Sequence, residues 1–179
     1  MPSTLQTEYR ETVLPKLMEK RGYTNVLQAP KLSKVVLSIG IGTDKDRDMF
    51  AEATRMLTEI TGQKPVTRMS KKNIANFKLR ENTAVGMSVT LRNQYMYDFM
   101  YRLLRVALPR VRDFRGVSPK SFDGQGNYSL GITDQTIFTE VNLDKMKHTI
   151  GMNVTIVTTA TTDEEGYDLL KMLGVPFAE

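Results

Sequence analysis

Two segments of this chain, KVVLSIG at 34–40 and AVGMSVTLR at 84–92, alternate apolar residues with small or polar ones. A period of two belongs to a β-strand, whose side chains point in turn to opposite faces. Val35, Leu37 and Ile39 share one face of the first segment; Val85, Met87, Val89 and Leu91 share one face of the second. Val36, Ser38 and Gly40, and then Gly86, Ser88, Thr90 and Arg92, take the opposite face. Strands written this way belong in a sheet with one buried face and one polar face. Thr67 and Thr155 are expected to join Ser38, Ser88 and Thr90 on the polar side.

The remaining periodicities supply helices for the buried face. Leu5, Tyr9, Val13 and Leu17 make one stripe over about 5–21, with Pro15 interrupting it and Gly22 closing it. Met49, Phe50, Ala53, Met56, Leu57 and Ile60 repeat every three to four residues in 46–61. Gln94–Leu108 is a further helix, ended by Pro109, with Tyr97, Tyr101, Arg102 and Arg105 away from its buried face. NVTIVTT at 153–159 is a β-branched strand, and a strand is expected within 132–141. Thr162–Leu173 is a helix with a Thr162/Glu165 capping box and a Gly174/Pro176 stop. The elements interleave without a regular βα period. The fold class is therefore α+β: a mostly antiparallel sheet with helices packed on one face and the other face open. At 179 residues, against roughly 150 per domain, one domain over 1–179 is expected.

Several chemistries are excluded by composition. There is no cysteine, so no disulfide, thiolate metal site or cysteine nucleophile, and there is one histidine, His148. That residue has no nearby metal or nucleophile partner in sequence and reads as surface or structural. Gly40-Ile41-Gly42 follows a strand, but Lys45 stands where a dinucleotide fingerprint needs its third glycine. The turn is explained by glycine dihedrals alone. Asp44, Asp46 and Asp48 alternate, yet Met49 and Arg55 occupy the glycine and glutamate positions of a calcium loop. They suit the N-terminus of the following helix instead. Glu164–Glu165 serves capping. No catalytic constellation emerges, and neither a cofactor nor a metal is expected. The N-terminus lacks a signal-peptide core, and no apolar stretch is long enough to span a bilayer, which favours a cytoplasmic protein without a membrane partner.

The charge distribution singles out a partner. Between Lys64 and Lys120 there are 13 Lys/Arg and three acids, an excess of ten, so the rest of a chain of net +5 carries −5. Such asymmetry selects a polyanion. Within it, MSKKNIANFKLR at 69–80 reads as a long basic loop with Asn and Phe interleaved. Cations attract phosphate, Asn hydrogen-bonds bases or 2′-hydroxyls, and Phe stacks. The competing reading is a solvated loop with Ile74 and Phe77 tucked into the core. Arg110, Arg112, Arg115 and Lys120 follow; their local alternative is pairing with Asp113 and capping the preceding helix. Thirteen cations exceed those local needs. With neither helix-turn-helix nor zinc finger present, RNA leads over DNA.

Three long blocks, TEITGQKPVTRMSKKNIANFKLRE (58–81), ALPRVRDFRGVSPKSFDGQGNYSLGI (107–132) and VTIVTTATTDEEG (154–166), make the chain resemble the bacterial large-subunit ribosomal protein L-five family. The resemblance runs over about 5–177. It implies a non-enzymatic, cytoplasmic ribosomal protein that holds 5S rRNA in the central protuberance. It also implies contacts with 23S rRNA, P-site tRNA, neighbouring 5S-binding ribosomal proteins and the small-subunit head protein S-thirteen, and no stable homo-oligomer. On this sequence the implied 5S-facing residues are Ser38, Gln63, Lys64 and Thr90, with Arg92 nearby. The implied tRNA-facing residues are Lys71, Lys72, Asn73, Lys78 and Arg80, in a protruding loop over about 69–82. Arg110, Arg112 and Arg115 are expected at further rRNA, and Ser121, Asp123, Asn127 and Asp134 at an intersubunit bridge. Four positions depart from the pattern: Ser38 for a common Asn, Asn76 for Gly, Gln125 for Arg and Thr139 for Pro. The alternatives are a free-standing RNA chaperone with the same surface and an enzyme holding a nucleotide at Gly40–Gly42.

Overall fold

A computed structural model describes residues 3–42, 47–142 and 146–178. Asp44 and Asp46 lie outside the described residues. In chain order the elements are α1 (Thr4–Glu8), α2 (Leu14–Arg21), β1 (Leu32–Gly40), α3 (Arg47–Thr61), β2 (Val66–Met69), β3 (Ala84–Leu91), α4 (Asn93–Arg102), β4 (Tyr128–Ile132), β5 (Met152–Thr158) and α5 (Asp163–Met172). The strands form one open antiparallel sheet in the order β2-β3-β1-β5-β4, so the fold is α+β.

Two prolines shape the helices in the same way. Pro15 opens α2, and the five residues before α2, Tyr9–Val13, form a π turn. Pro109 sits in a short 3-10 turn, Leu108–Arg110, preceded by a second π turn, Leu103–Ala107. A proline has no N–H to give the i→i−4 ladder, and its ring crowds the preceding turn. In both places the chain stays helical but widens just upstream of the ring. Gly22 closes α2 in the left-handed region, at φ 69°.

The chain divides into two compact units. The first comprises Met1–Val35, Leu91–Leu130 and Thr155–Glu179. Its core includes Leu5, Leu17, Phe99, Met100, Leu103 and Leu169, all essentially without exposure. Tyr97, expected off the buried face of its helix, is buried in this core. It precedes Met100 by three residues and Leu104 by seven, which places it on the same helical face as those buried residues. Phe122, Tyr128, Tyr167 and Phe177 form an aromatic cluster, with Tyr167 and Phe177 centroids 4.5 Å apart. Buried Asp168 receives Lys20 Nζ at 2.7 Å and the Arg21 guanidinium at 2.6 Å. Burial alone would raise its pKa, but the two cations outweigh that and hold it below the usual carboxylate range. Glu165 is likewise lowered, chiefly by the Thr161 N–H, with Tyr23 and the Thr161 hydroxyl adding to it. The expected cap is present, with Thr162 accepting from Glu165 N, and the Glu165 carboxylate reaches back over it to the Thr161 N–H as well.

These lowered carboxylates set a pH dependence. A group whose folded pKa is depressed stabilises fully above its unfolded value, about 4. That stabilisation is lost as pH falls through the folded value. Chemical denaturation should show stability level above about pH 5 and falling below about pH 4. Asp168→Asn should remove about 2 kcal/mol at neutral pH, since Lys20 is half-exposed and its pairing is partly screened. The variant should also show a shallower acid decline. An equally steep decline would assign the acid sensitivity elsewhere.

The second unit comprises Val36–Thr90 and Gly131–Val154. Leu37, Ile39, Ala53, Met56, Leu57, Ile60, Met87 and Val89 are its buried centre. α3 packs on the Met87 face of the sheet, with Thr54 Oγ1 3.3 Å from Met87 Sδ. No strand forms within 132–141 beyond Ile132, the last residue of β4. Residues Gln135–Ile137 instead make a 3-10 turn capped by Asp134. Ile137, Phe138 and Val141 are still buried, so the apolar run reports burial without specifying a strand. The Gln135 amide bridges the chain, donating to His148 O at 2.9 Å and accepting from Ile150 N at 2.6 Å. His148 Nδ1 lies 3.2 Å from buried Glu52, which also accepts from Lys147 N. The histidine is structural.

Candidate nucleic-acid interface

The polar sheet face of the second unit is flat because of what it lacks. Ser38 and Thr90 are half-buried hydroxyls, and Gly86 and Ser88 are buried. A Cβ on Gly86 would sit 2.3 Å from Ile39 O, so β1 backbone occupies the space a side chain would need. The β2–β3 register places Val66 opposite Ser88, Thr67 opposite Met87 and Arg68 opposite Gly86. Directly paired residues share a face. Arg68 and Val66 therefore lie on the polar face, and Thr67 lies on the Met87 face, opposite to expectation. Arg68 Nε donates to Ser88 Oγ at 2.7 Å, laying a guanidinium across the hydroxyl. Arg68 joins the candidate face although the sequence marks it only as charge; the parity of β2 relative to β3 was the missing signal.

Gln63 and Lys64 occupy the turn between α3 and β2. Gly62 ends the helix at φ 69°, and Thr61 Oγ1 accepts from Gln63 N at 3.2 Å. The backbone is held while both side chains stay exposed. Among the described residues, Gly40–Gly42 shows no free amide cradle at Ile41. Ile41 N donates to Val85 O at 2.8 Å, so the amide a phosphate would need is already engaged. Among the described residues no group of three or more His, Asp or Glu is placed to hold a metal ion.

The basic segment between β2 and β3 is a braced tip, not a structureless loop. Ile74 and Leu79 exchange both backbone hydrogen bonds, at 2.9 and 3.0 Å. Below them Ser70 N donates to Thr83 O, Asn82 N to Ser70 O, and the Ser70 hydroxyl to Arg80 O. Asn73 Oδ1 accepts from Glu81 N at 2.6 Å, so this asparagine shapes the loop as well as facing solvent. Residues 71–78 are all exposed, as is Arg80. Ile74 is 39% and Phe77 69% exposed, which excludes the reading that tucks them into the core. The left-handed residues of the segment are Lys78, at φ 49°, and Asn82, at φ 60°. Asn76 lies inside the 3-10 turn Ala75–Phe77, where no positive φ is needed. Its replacement of glycine is therefore accommodated. The result is a cationic tip with an apolar ring at its end.

In the first unit Arg92, Arg110, Arg112 and Arg115 are exposed. Among the described residues no ion pair joins any of the last three to Asp113. The end of their segment is fixed by backbone pairing of Val117 with Pro176 and Ala178, at 2.8 and 2.9 Å. The 121–127 loop is built from its own polar groups. Asp123 is held below the usual carboxylate range, first by the Asn127 amide and then by the Gln125 N–H. Asn127 Oδ1 accepts from Thr158 N, and Asp163 accepts from Gly124 N and Gly126 N. In the second unit Asp134 accepts from Thr136 N at 2.8 Å. Asp123, Asn127 and Asp134 thus have local structural work beside any external contact, and Ser121 contributes its carbonyl to Ser129 N.

A hydroxyl-and-glycine sheet face, a cationic tip and free arginines are the equipment of an RNA-binding scaffold. Comparison with known proteins agrees. Residues 25–80 match the family described as Ribosomal protein L5, and residues 84–177 match the ribosomal L5P family C-terminus. The chain is 57% identical to the large ribosomal subunit protein uL5 of Clostridium kluyveri, covering all of this chain and 99% of that one. It is 56% identical to uL5 of Desulfatibacillum aliphaticivorans, with 98% of each covered, and 54% identical to that of Lactobacillus acidophilus, with 99% of each covered. Matches of this length leave no segment of the interface outside the likeness, and the chain belongs to the ribosomal protein L5 family.

Proposed function

We propose that this protein is a non-enzymatic structural component of the large ribosomal subunit that anchors 5S rRNA on its polar sheet face. In this reading Ser38, Gln63, Lys64 and Thr90, with Arg68 beside them and Arg92 from the first unit, face 5S rRNA. Arg110, Arg112 and Arg115 face 23S rRNA. Lys71, Lys72, Asn73, Lys78 and Arg80 reach P-site tRNA. Ser121, Asp123, Asn127 and Asp134 contribute to a bridge with the small-subunit head protein S-thirteen. The observation that carries the reading is the face on which small hydroxyls and a buried glycine replace bulky side chains beside a run of cations. RNA backbone and 2′-hydroxyls can approach such a surface closely, and the cations add a salt-sensitive attraction.

The purified chain, offered total cellular RNA over a salt series, should retain one species of 5S size. Retention should fall as salt rises. Indiscriminate recovery of bulk RNA would overturn the reading. Replacing Lys71, Lys72, Lys78 and Arg80 by serine should leave 5S affinity within about twofold and lower crosslinking to P-site tRNA about tenfold. The braced base of the tip predicts this separation, because none of the four side chains supports the sheet. Loss of 5S binding in the quadruple variant would refute the division of labour.

A further inference from the structure

In a chain without cysteine the thioether of methionine is the side chain most open to oxidation, and this chain has 11 methionines. Burial shields most of them. Met56, Met87, Met96, Met100 and Met152 are at most 4% exposed, and Met18, Met49, Met146 and Met172 are half-covered. Met69, at 55%, is the one exposed methionine among the described residues.

Met69 ends β2, and the chain on both sides of it is fixed. Arg68, before it, lays its guanidinium on Ser88 Oγ. Ser70, after it, donates its N–H to Thr83 O and its hydroxyl to Arg80 O. An ordered strand end therefore holds the sulfur in solvent. The register shifts between Arg68 and Met69, so that Arg68 pairs with Gly86 and Met69 with Ala84. Such a bulge re-aims side chains. Paired residues share a face, and Ala84 has the parity of Gly86, Ser88 and Thr90. Met69 thereby stands at the rim of the polar face, between its hydroxyls and the cationic tip.

We propose that Met69 is a redox-sensitive modification site: a hydroperoxide converts it to the sulfoxide in the RNA-free chain, and the oxidised chain binds 5S rRNA more weakly. The inference rests on the reading of the polar face as the 5S platform. In the step, one oxygen of hydrogen peroxide is transferred to a lone pair of Sδ. The O–O bond breaks, an S–O bond forms, and sulfur gives up two electrons. The second oxygen takes the proton of the first and leaves as water. The thioether is an apolar contact for a ribose, whereas the sulfoxide oxygen carries partial negative charge and only accepts hydrogen bonds. Against phosphate oxygens, which also only accept, it loses its water without a replacement. Methionine sulfoxide reductases reverse the change, so the site can act as a switch.

The test treats the full chain with dilute hydrogen peroxide, alone and saturated with 5S rRNA, and maps the added oxygen by peptide mass. Met69 should be modified first in the free chain, and bound 5S rRNA should slow that reaction about tenfold. Filter binding should show the 5S affinity of the oxidised chain lowered about fivefold, with the melting curve in place and recovery after methionine sulfoxide reductase. Met69→Leu should keep wild-type affinity before and after peroxide. Met69→Gln, a polar side chain of similar length, should carry the loss without peroxide. First oxidation at another methionine overturns the proposal. So does unchanged affinity in the oxidised chain, equal peroxide sensitivity in Met69→Leu, or oxidation of Met69 at the same rate with and without RNA. A wild-type chain that does not select 5S rRNA before treatment refutes the parent reading and this inference with it; the other outcomes leave that reading standing.

Discussion

Gly86→Ala should unfold this protein more readily than any other single methyl addition in the sheet. The new Cβ would lie 2.3 Å from Ile39 O and 3.4 Å from Gly40 Cα, both backbone atoms. No rotamer change relieves a contact with backbone, so β3 and β1 must separate at the centre of the sheet. Overpacking of this kind destabilises by about 3 kcal/mol, or about 10 °C in melting temperature for a chain of this size. The internal control is Gly40→Ala. Nothing lies within 4 Å of a Cβ there, and its backbone is not left-handed. Circular dichroism melts of the two variants should therefore diverge widely. Equal melts would show that the sheet yields at Gly86, and the flatness of the polar face would lose its structural cause.

The second large effect is on binding. Ser38→Glu with Thr90→Glu should lower affinity for 5S rRNA by about a hundredfold or more at moderate salt. Both side chains lie half-buried on the polar face, so each carboxylate would meet phosphate at short range with little water between. The same substitutions should move the melting temperature by only a few degrees, because both positions are partly open to solvent and neither side chain fills the apolar core. Ser38→Asn offers the opposite sign: a longer amide on the same face should keep or tighten binding. If the double glutamate variant retains wild-type affinity for 5S rRNA, the sheet face is not where that RNA sits.

Much of the architecture was readable in the residues. The three-to-four repeat of α3 and the alternation of β1 and β5 carry their own period, and burial follows it; in β3 the alternation sets the faces, but Gly86, Met87, Ser88 and Val89 are all buried. What could not be read has a common physical cause, which is distance along the chain. Asp168 meets Lys20 and Arg21 across nearly 150 residues, and Glu52 meets His148 across 96. No local pattern marks an acid as buried. β4, YSLGI, hides because serine and glycine interrupt a five-residue strand, whereas the more apolar 137–141 run forms turns. The cationic stretch of the interface was visible as composition. The position of Arg68 over Ser88 and the opposite placement of Thr67 depended on strand register, which composition does not encode.

The crossed bonds between Ile74 and Leu79, with Ser70 fastening the layer beneath, have a consequence for how this molecule tolerates change. They insulate the 75–78 crest from the sheet. Residues there can be exchanged, shortened or lengthened without the alteration travelling into β3, so the reach of the crest can be retuned while the sheet beneath it keeps its shape.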